Sequence, residues 1–427
     1  MNLCSLVTIL LAATVAPAET NTQSTPTVTS SPAAVVVPAL PVPERPRLEF
    51  GDAGYLELSA VMNAWVVGSG RWTFRLRRAE LYASGRVVKH LGFNLMLDPA
   101  RVLELVPTSV RVLNQDPGAS VFYRSERVLV LQPPGKVSML QDMVLVLTAI
   151  PYMNLAIGQG RIPMSNEATT SSRNLLFAER WELARVFSDW RDVGAWASYR
   201  FKYLAYHVGL YNGAGANALD DDVNKDFAAR LELLVPLVGL KVGTSLLRTL
   251  PGHDAWIGQQ QHRLGQLMDV MTRAPGPESA QRLRRAAVVW LPGDDPGART
   301  ALGADITLEL GGVRASAEAY QLRLLTRESV PQVILPRGAA VSVGYTVGRL
   351  FVADWQPAWR LEWYDADWLF EGDELLRSTV GSNFMFAGNH AKLQLNWMHS
   401  MTASFNADGQ LFPVNDDAFV VSVQGAL

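Results

Sequence analysis

An all-β, transmembrane antiparallel β-barrel of about sixteen strands is the fold this sequence predicts, on three observations. Polar and apolar residues alternate strictly over short stretches along most of the chain. The connections between those stretches alternate between short and long. Beyond the N-terminus, no apolar run reaches the roughly 18 residues a membrane-spanning helix needs.

The clearest stretch is Ala391-Lys392-Leu393-Gln394-Leu395-Asn396-Trp397. Successive side chains on a strand point to opposite faces, so Lys392, Gln394 and Asn396 make one wet face and the four apolar residues a greasy one. The pattern recurs. Leu231, Leu233 and Val235 alternate with Arg230, Glu232 and Leu234, and Val313, Ala315 and Ala317 with Arg314, Ser316 and Glu318. Trp359, Leu361 and Trp363 alternate with Arg360 and Glu362, Phe74 and Leu76 with Arg75 and Arg77, and Phe419, Val421 and Val423 with Ser422 and Gln424. A soluble sandwich shows the same period, so strand number and loop asymmetry must separate the two readings.

The chain begins Met1-Asn2-Leu3-Cys4, runs apolar from Leu6 to Val15 and reaches Ala16-Pro17-Ala18. This reads as a signal peptide, residues 1–18, cut after Ala18. Residues 19–47, rich in Ser, Thr, Pro and Val, read as a periplasmic linker, and 48–427 as one barrel domain. Cys4 is the only cysteine, so a mature chain has no disulfide, no thiolate metal site and no cysteine nucleophile. A net charge of -2 provides no global basic field, so nucleic acid is not an expected partner.

Sixteen strands are predicted near 52–65, 72–84, 90–98, 137–148, 153–161, 193–201, 203–211, 226–235, 240–248, 302–310, 313–323, 340–350, 357–364, 379–386, 390–398 and 417–425. Short turns fall at Val87-Val88-Lys89, Ile150-Pro151, Phe201-Lys202, Pro236–Gly239, Gly311-Gly312, Trp355-Gln356-Pro357 and Gly388-Asn389. Longer segments lie between them, at 99–136, 162–192, 212–225, 249–301, 324–339, 365–378 and 399–416. Outer-membrane barrels have this asymmetry, with periplasmic turns and extracellular loops, and an even count returns both termini to the periplasm.

Side chains cannot fill a sixteen-stranded lumen, so a channel remains unless a loop folds inward. The third long segment, 162–192, is the candidate. Arg161, Arg173, Arg180, Arg185 and Arg191 lie in or beside it. Guanidinium groups suit transient pairing with oxyanions, and a ring of them makes an electrostatic constriction. The competing reading is that they pair with Glu167, Glu179, Glu182, Asp189 and Asp192 and brace the loop. Arg75, Arg77, Arg230, Arg314, Arg360 and Lys392, on the polar faces of strands, are further pore-lining candidates.

Three segments resemble the phosphate-selective O and P porins of Gram-negative outer membranes. They are Arg75-Leu76-Arg77-Arg78-Ala79-Glu80-Leu81, a central block from Gly158-Gln159 through Pro163-x-Ser165-x-Glu167, Thr170-Ser171-Ser172-Arg173 and Phe177-x-Glu179-Arg180 to Arg191-Asp192-Val193-Gly194, and Thr379–Asn383 leading into Asn389–Trp397. The resemblance implies a homotrimer in membrane lipid and lipopolysaccharide that conducts small anions such as phosphate or pyrophosphate. It also carries over pore-lining roles for Arg77, Arg78, Arg173 and Arg180. Two departures stand out: only six of the 38 cations are lysines, and the chain ends in Leu427 where such barrels end in an aromatic.

Other classes are weaker. The histidines (90, 207, 253, 262, 390, 399) show no metal-ligand spacing, no catalytic constellation is evident and no cofactor is implied. A barrel lipase would need a serine beside His207. Asp220-Asp221-Asp222 reads as a solvated turn. The 249–301 loop, basic at Arg282, Arg284 and Arg285 with a helix-like stretch from Gln259 to Met271, reads as solvated. A barrel with a mainly structural or surface-interaction role is the main alternative to a channel. Within the channel reading, Lys392 lines the periplasmic half and Trp397 marks the outer-leaflet end of its strand.

Overall fold

The computed structural model describes residues 45–51, 54–68, 72–103, 139–220, 223, 225–250, 299–325, 333–365, 368, 374–405 and 411–427. The segment expected to be a signal peptide (1–18), nearly all of the expected linker (19–47), Asp221, Asp222, His253, His262 and most of the segment 249–301, including the expected helix-like stretch and its arginines, lie outside the described residues.

Sixteen antiparallel strands close into a barrel: β1 (Gly54–Gly68), β2 (Trp72–Val88), β3 (Leu91–Leu97), β4 (Leu140–Ile150), β5 (Met153–Arg161), β6 (Arg191–Arg200), β7 (Leu204–Tyr211), β8 (Asp226–Val235), β9 (Leu240–Thr249), β10 (Arg299–Leu310), β11 (Val313–Leu325), β12 (Arg337–Tyr345), β13 (Ala353–Asp365), β14 (Glu374–Met385), β15 (Ala391–Phe405) and β16 (Leu411–Ala426). Each pairs with the next, and β16 returns to β1 with Phe419 opposite Gly68 and Ala426 opposite Val61. Three short strands, Arg47–Phe50, Val333–Ile334 and Gly348–Leu350, extend the rims.

The burial pattern is inside out relative to a soluble protein. Asn63, Glu80, Arg230, Asp305, Glu318, Arg360, Glu362, Gln394, Asn396 and Ser422 are buried in the interior. Met62, Met143, Leu145, Ile157, Leu233, Trp359 and Trp397, at neighbouring positions of opposite parity, are exposed on the outside. Only a hydrocarbon surround makes that arrangement favourable, and the closed sheet pairs its backbone strand to strand around the barrel, as a lipid surround requires. Tyr152, Tyr199, Phe201 and Tyr206 cluster at one rim, with ring contacts of 4.8–6.5 Å, as amphipathic rings do at a membrane interface.

The short turns share that rim with the start of β1 and the end of β16. Gly311 (φ 59°) and Gly312 (φ 84°) form a two-residue hairpin turn that requires positive φ at both positions. One predicted turn is corrected. Trp355-Gln356-Pro357 lies within β13, and the chain reverses at Phe351-Val352, between Gly348–Leu350 and its partner Ala353–Trp355. Proline lacks a donor for the ladder, but Pro357 sits one residue beyond the last β12–β13 pair, Gly344 with Ala358, where that side needs none.

Candidate functional site

Residues 162–190 run from β5 to β6 inside the barrel. The segment contains helical turn α1 (Asn166–Thr169), a 3-10 turn at Ser172–Asn174 and helix α2 (Glu182–Asp189). Ser165 caps α1 by accepting from the Ala168 N–H. Trp181, Leu183 and Phe187 are fully buried against the inner wall at Tyr320, Leu322, Ala340 and Tyr364. Burying an aliphatic or phenyl side chain of this size contributes roughly 1.5–3 kcal/mol, so α2 adheres to the wall by its apolar face.

Polar contacts fix the rest. Glu179 lies 2.9 Å from the Arg77 guanidinium and 3.1 Å from that of Arg78, both on β2. Glu182 lies 3.0 Å from Arg377 on β14 and 2.8 Å from Arg185. Glu167 lies 3.4 Å from Arg360 on β13, whose guanidinium also donates to the Glu179 carbonyl at 3.0 Å. Burial opposes ionisation of Glu179, but Arg77 and Arg78 outweigh it and hold its carboxyl well below the usual range. Burial likewise opposes ionisation of Glu182, yet Arg185 and Arg377 bring it down to about 2. At Glu167 burial prevails over Arg360 and the carboxyl is raised.

The remaining candidates occupy distinct surroundings. Arg75 is exposed and shares the register of the interior-facing Trp65. Arg161 donates to the Ala168 carbonyl at 2.7 Å, and Arg180 donates to the carbonyls of Glu167 (3.0 Å) and Thr170 (2.7 Å), so two arginines grip one helical turn. Arg191 pairs with Asp142 at 2.8 Å, and Arg230 with Asp305 through two bonds of 2.7 and 2.9 Å. Arg314 donates to the Asn174 carbonyl and pairs with Glu309 at 3.2 Å. Arg173 donates to the Leu427 carbonyl at 3.3 Å. Lys392 is buried beneath the loop, donating to the carbonyls of Arg173 (3.1 Å) and Leu175 (2.9 Å). The bracing pairs to Glu167, Glu179 and Glu182 are therefore present, and most guanidinium donors are already engaged.

Arg78 owes its inward position to a β-bulge. Strict alternation on β2 would send Arg77 inward and Arg78 outward, but the register shifts between Asn63 and Ala64 and both arginines reach Glu179. Sequence reasoning missed Arg377, which fell in a predicted loop. Its signal was the alternation of Arg377, Thr379 and Gly381 with Ser378 and Val380. Glu318 reads in the sequence only as a polar-face residue, yet it accepts from the Ser165 hydroxyl (2.6 Å), the Glu167 N–H (2.7 Å) and the Trp181 indole (3.1 Å). His207, the residue a lipase would need, bonds the Tyr211 hydroxyl at 2.8 Å and lies parallel to the Tyr211 ring.

No protein-family model and no curated protein matches the chain. Solved structures do. An anion-selective porin from Comamonas acidovorans superposes with a TM-score of 0.53 at 9% identity, over 88% of this chain and 100% of that one. OmpT of Vibrio cholerae, an outer membrane protein in trimer form, gives 0.51 at 10% identity over 88% and 100%. OmpF of Salmonella typhi gives 0.50 at 9% over 89% and 99%. At such identities the likeness is one of architecture: this chain has the sixteen-stranded barrel of the bacterial outer-membrane porins.

Proposed function

We propose that the protein is a porin of the Gram-negative outer membrane that gives small solutes a passive route through its lumen, with a bias toward anions. The observation that carries this reading is the third loop, folded inside a lipid-facing closed barrel and fastened to the wall by side chains. Such a loop narrows the lumen without requiring a cofactor or a catalytic group, and size and charge then decide passage. The bias rests on Arg75 and Arg173, the least engaged of the guanidinium groups beside the loop, since the others are matched by Glu80, Asp142, Glu167, Glu179, Glu182, Asp305 and Glu362. Phosphate and pyrophosphate fit as small multivalent anions. Because most donors are committed to loop carboxylates and carbonyls, the geometry favours attraction by net field over tight phosphate coordination. Three copies would assemble as a trimer.

A second reading, a barrel of mainly structural or surface role, gains from the fully buried Trp181, Phe187, Arg360 and Glu362, which pack the loop-bearing part of the interior solidly. Planar-bilayer recording separates the two. Discrete steps with an anion-biased reversal potential in a salt gradient support the porin. Folded trimers that give no steps would sink it. Competition of phosphate against chloride current tests the solute.

A further inference from the structure

We propose that residues 172–179 of the third loop latch the closure seam of the barrel, where the last strand meets the first. The seam joins segments more than 350 positions apart in sequence, and only the second half of β16, Phe419–Ala426, pairs with β1 (Gly68–Val61). Eight register pairs hold the seam, as many as join β7 to β8 and more than join β4 to β5, but no hairpin connects its two strands. Parting two strands in hydrocarbon exposes unpaired backbone, and closure between the chain's two ends carries the largest chain-entropy cost, so contacts that bridge the seam stabilise the closed barrel.

Eight loop residues span that seam from inside. On the first-strand side, the Ser172 hydroxyl donates to the Glu80 carboxylate of β2, Arg78 of β2 donates to the Ala178 carbonyl at 3.3 Å, and Glu179 pairs with Arg77 and Arg78. On the last-strand side, Gln424 of β16 and Lys392 of β15 both donate to the Arg173 carbonyl at 3.1 Å. The Ala178 N–H donates to Asn396 of β15 at 2.8 Å. The two sides meet at Ala178, which packs with Trp65 of β1 and Val420 of β16 in one buried cluster flanked by Val67 and Met398. Ser422 of β16 donates to Asn63 of β1 at 2.9 Å beside it. These contacts exist together only when the first two and last two strands already stand side by side. The loop therefore seats on a closed barrel, and a seated loop ties both sides of the seam through one short segment.

The test uses the full chain folded in lipid, with thermal unfolding followed by loss of strand signal. Ser172→Ala and Glu179→Gln, separately and together, remove the side-chain ties to β2 and leave only the Arg78 bond to the Ala178 carbonyl. Each is combined with a disulfide across the seam (Ala64→Cys with Val423→Cys, register partners) or across a distant pair (Val242→Cys with Ile306→Cys, also register partners). Facing residues on paired strands lie within disulfide reach. The expected result is a lowered midpoint in the loop variants, at least half recovered by the seam disulfide and not by the distant one. Equal recovery by both, recovery by neither, or an unchanged midpoint in the double variant would overturn the proposal. If the double variant does not fold, Ser172→Ala alone carries the same comparison.

Discussion

The carboxylate of Glu179 stands between two adjacent guanidinium groups, 2.9 Å from Arg77 and 3.1 Å from Arg78, although a single β-strand normally presents neighbours to opposite faces. The bulge that permits this makes Glu179 the anchor of the loop on β2. Glu179→Gln should therefore loosen the loop. Breaking a partly buried pair and leaving two cations behind costs about 1–3 kcal/mol here, below the range for fully buried pairs because Glu179 is one-fifth exposed. The measurement is labelling of Ala178→Cys by a hydrophilic thiol reagent, expected to accelerate several-fold in the E179Q background.

Acid should release the loop only far below neutrality. The folded-state carboxyls of Glu179 and Glu182 are depressed, Glu182 to about 2, from an ordinary value of 4.5. A depressed carboxyl contributes stability above its unfolded value and loses it as pH falls through the folded one. Glu167 is raised and acts in the opposite sense, favouring the folded state as it protonates. The loop's attachment, read as labelling of Ala178→Cys by a hydrophilic thiol reagent, should thus hold from pH 7 to about 4.5 and weaken only below that. Faster labelling centred near pH 6 would refute the assignment.

Arg360 is 1% exposed and contacts Glu167, Glu362 and the Glu179 carbonyl, with its guanidinium 4.7 Å above the Phe177 ring. Arg360→Met leaves the buried carboxylate of Glu167 without its ion-pair partner and Glu362 with Arg377 alone at 3.3 Å, at a cost of about 3 kcal/mol, the low end for buried pairs. Adding Glu362→Gln should restore part of that loss. Denaturant midpoints of the single and double variants give the coupling.

Trp181 fills the space between α2 and Tyr320, with ring centroids 6.2 Å apart. Trp181→Ala opens a cavity worth about 3–5 kcal/mol to the loop's attachment, while the strand ladders remain intact. Single-channel current should become noisier and larger on average, with little change in barrel melting.

For selectivity, the expected outcome is that replacing Arg173 and Arg180 together with Ala weakens anion preference. An unchanged reversal potential in a salt gradient would assign both residues to bracing alone.

Much of the fold was legible in sequence because lipid imposes a period of two on every strand. Lys392, Gln394 and Asn396 point inward, Leu393, Leu395 and Trp397 outward, and β5 and β8 begin and end where the alternation does. The failures have local causes. Pro357 reads as a turn breaker unless one knows that pairing with β12 stops at Gly344. Arg377 reads as loop because Glu374–Ser378 alternates less cleanly.

By itself, then, the sequence determined the barrel, its strand number, its long third loop and the arginine-rich chemistry of that loop, since each follows from local periodicity and spacing. Only the tertiary structure decided which arginines meet which carboxylates. That choice depends on a bulge that turns Arg78 inward and on residues such as Glu179 and Arg78, or Lys392 and Arg173, that are 100 or more positions apart and become neighbours when the barrel closes.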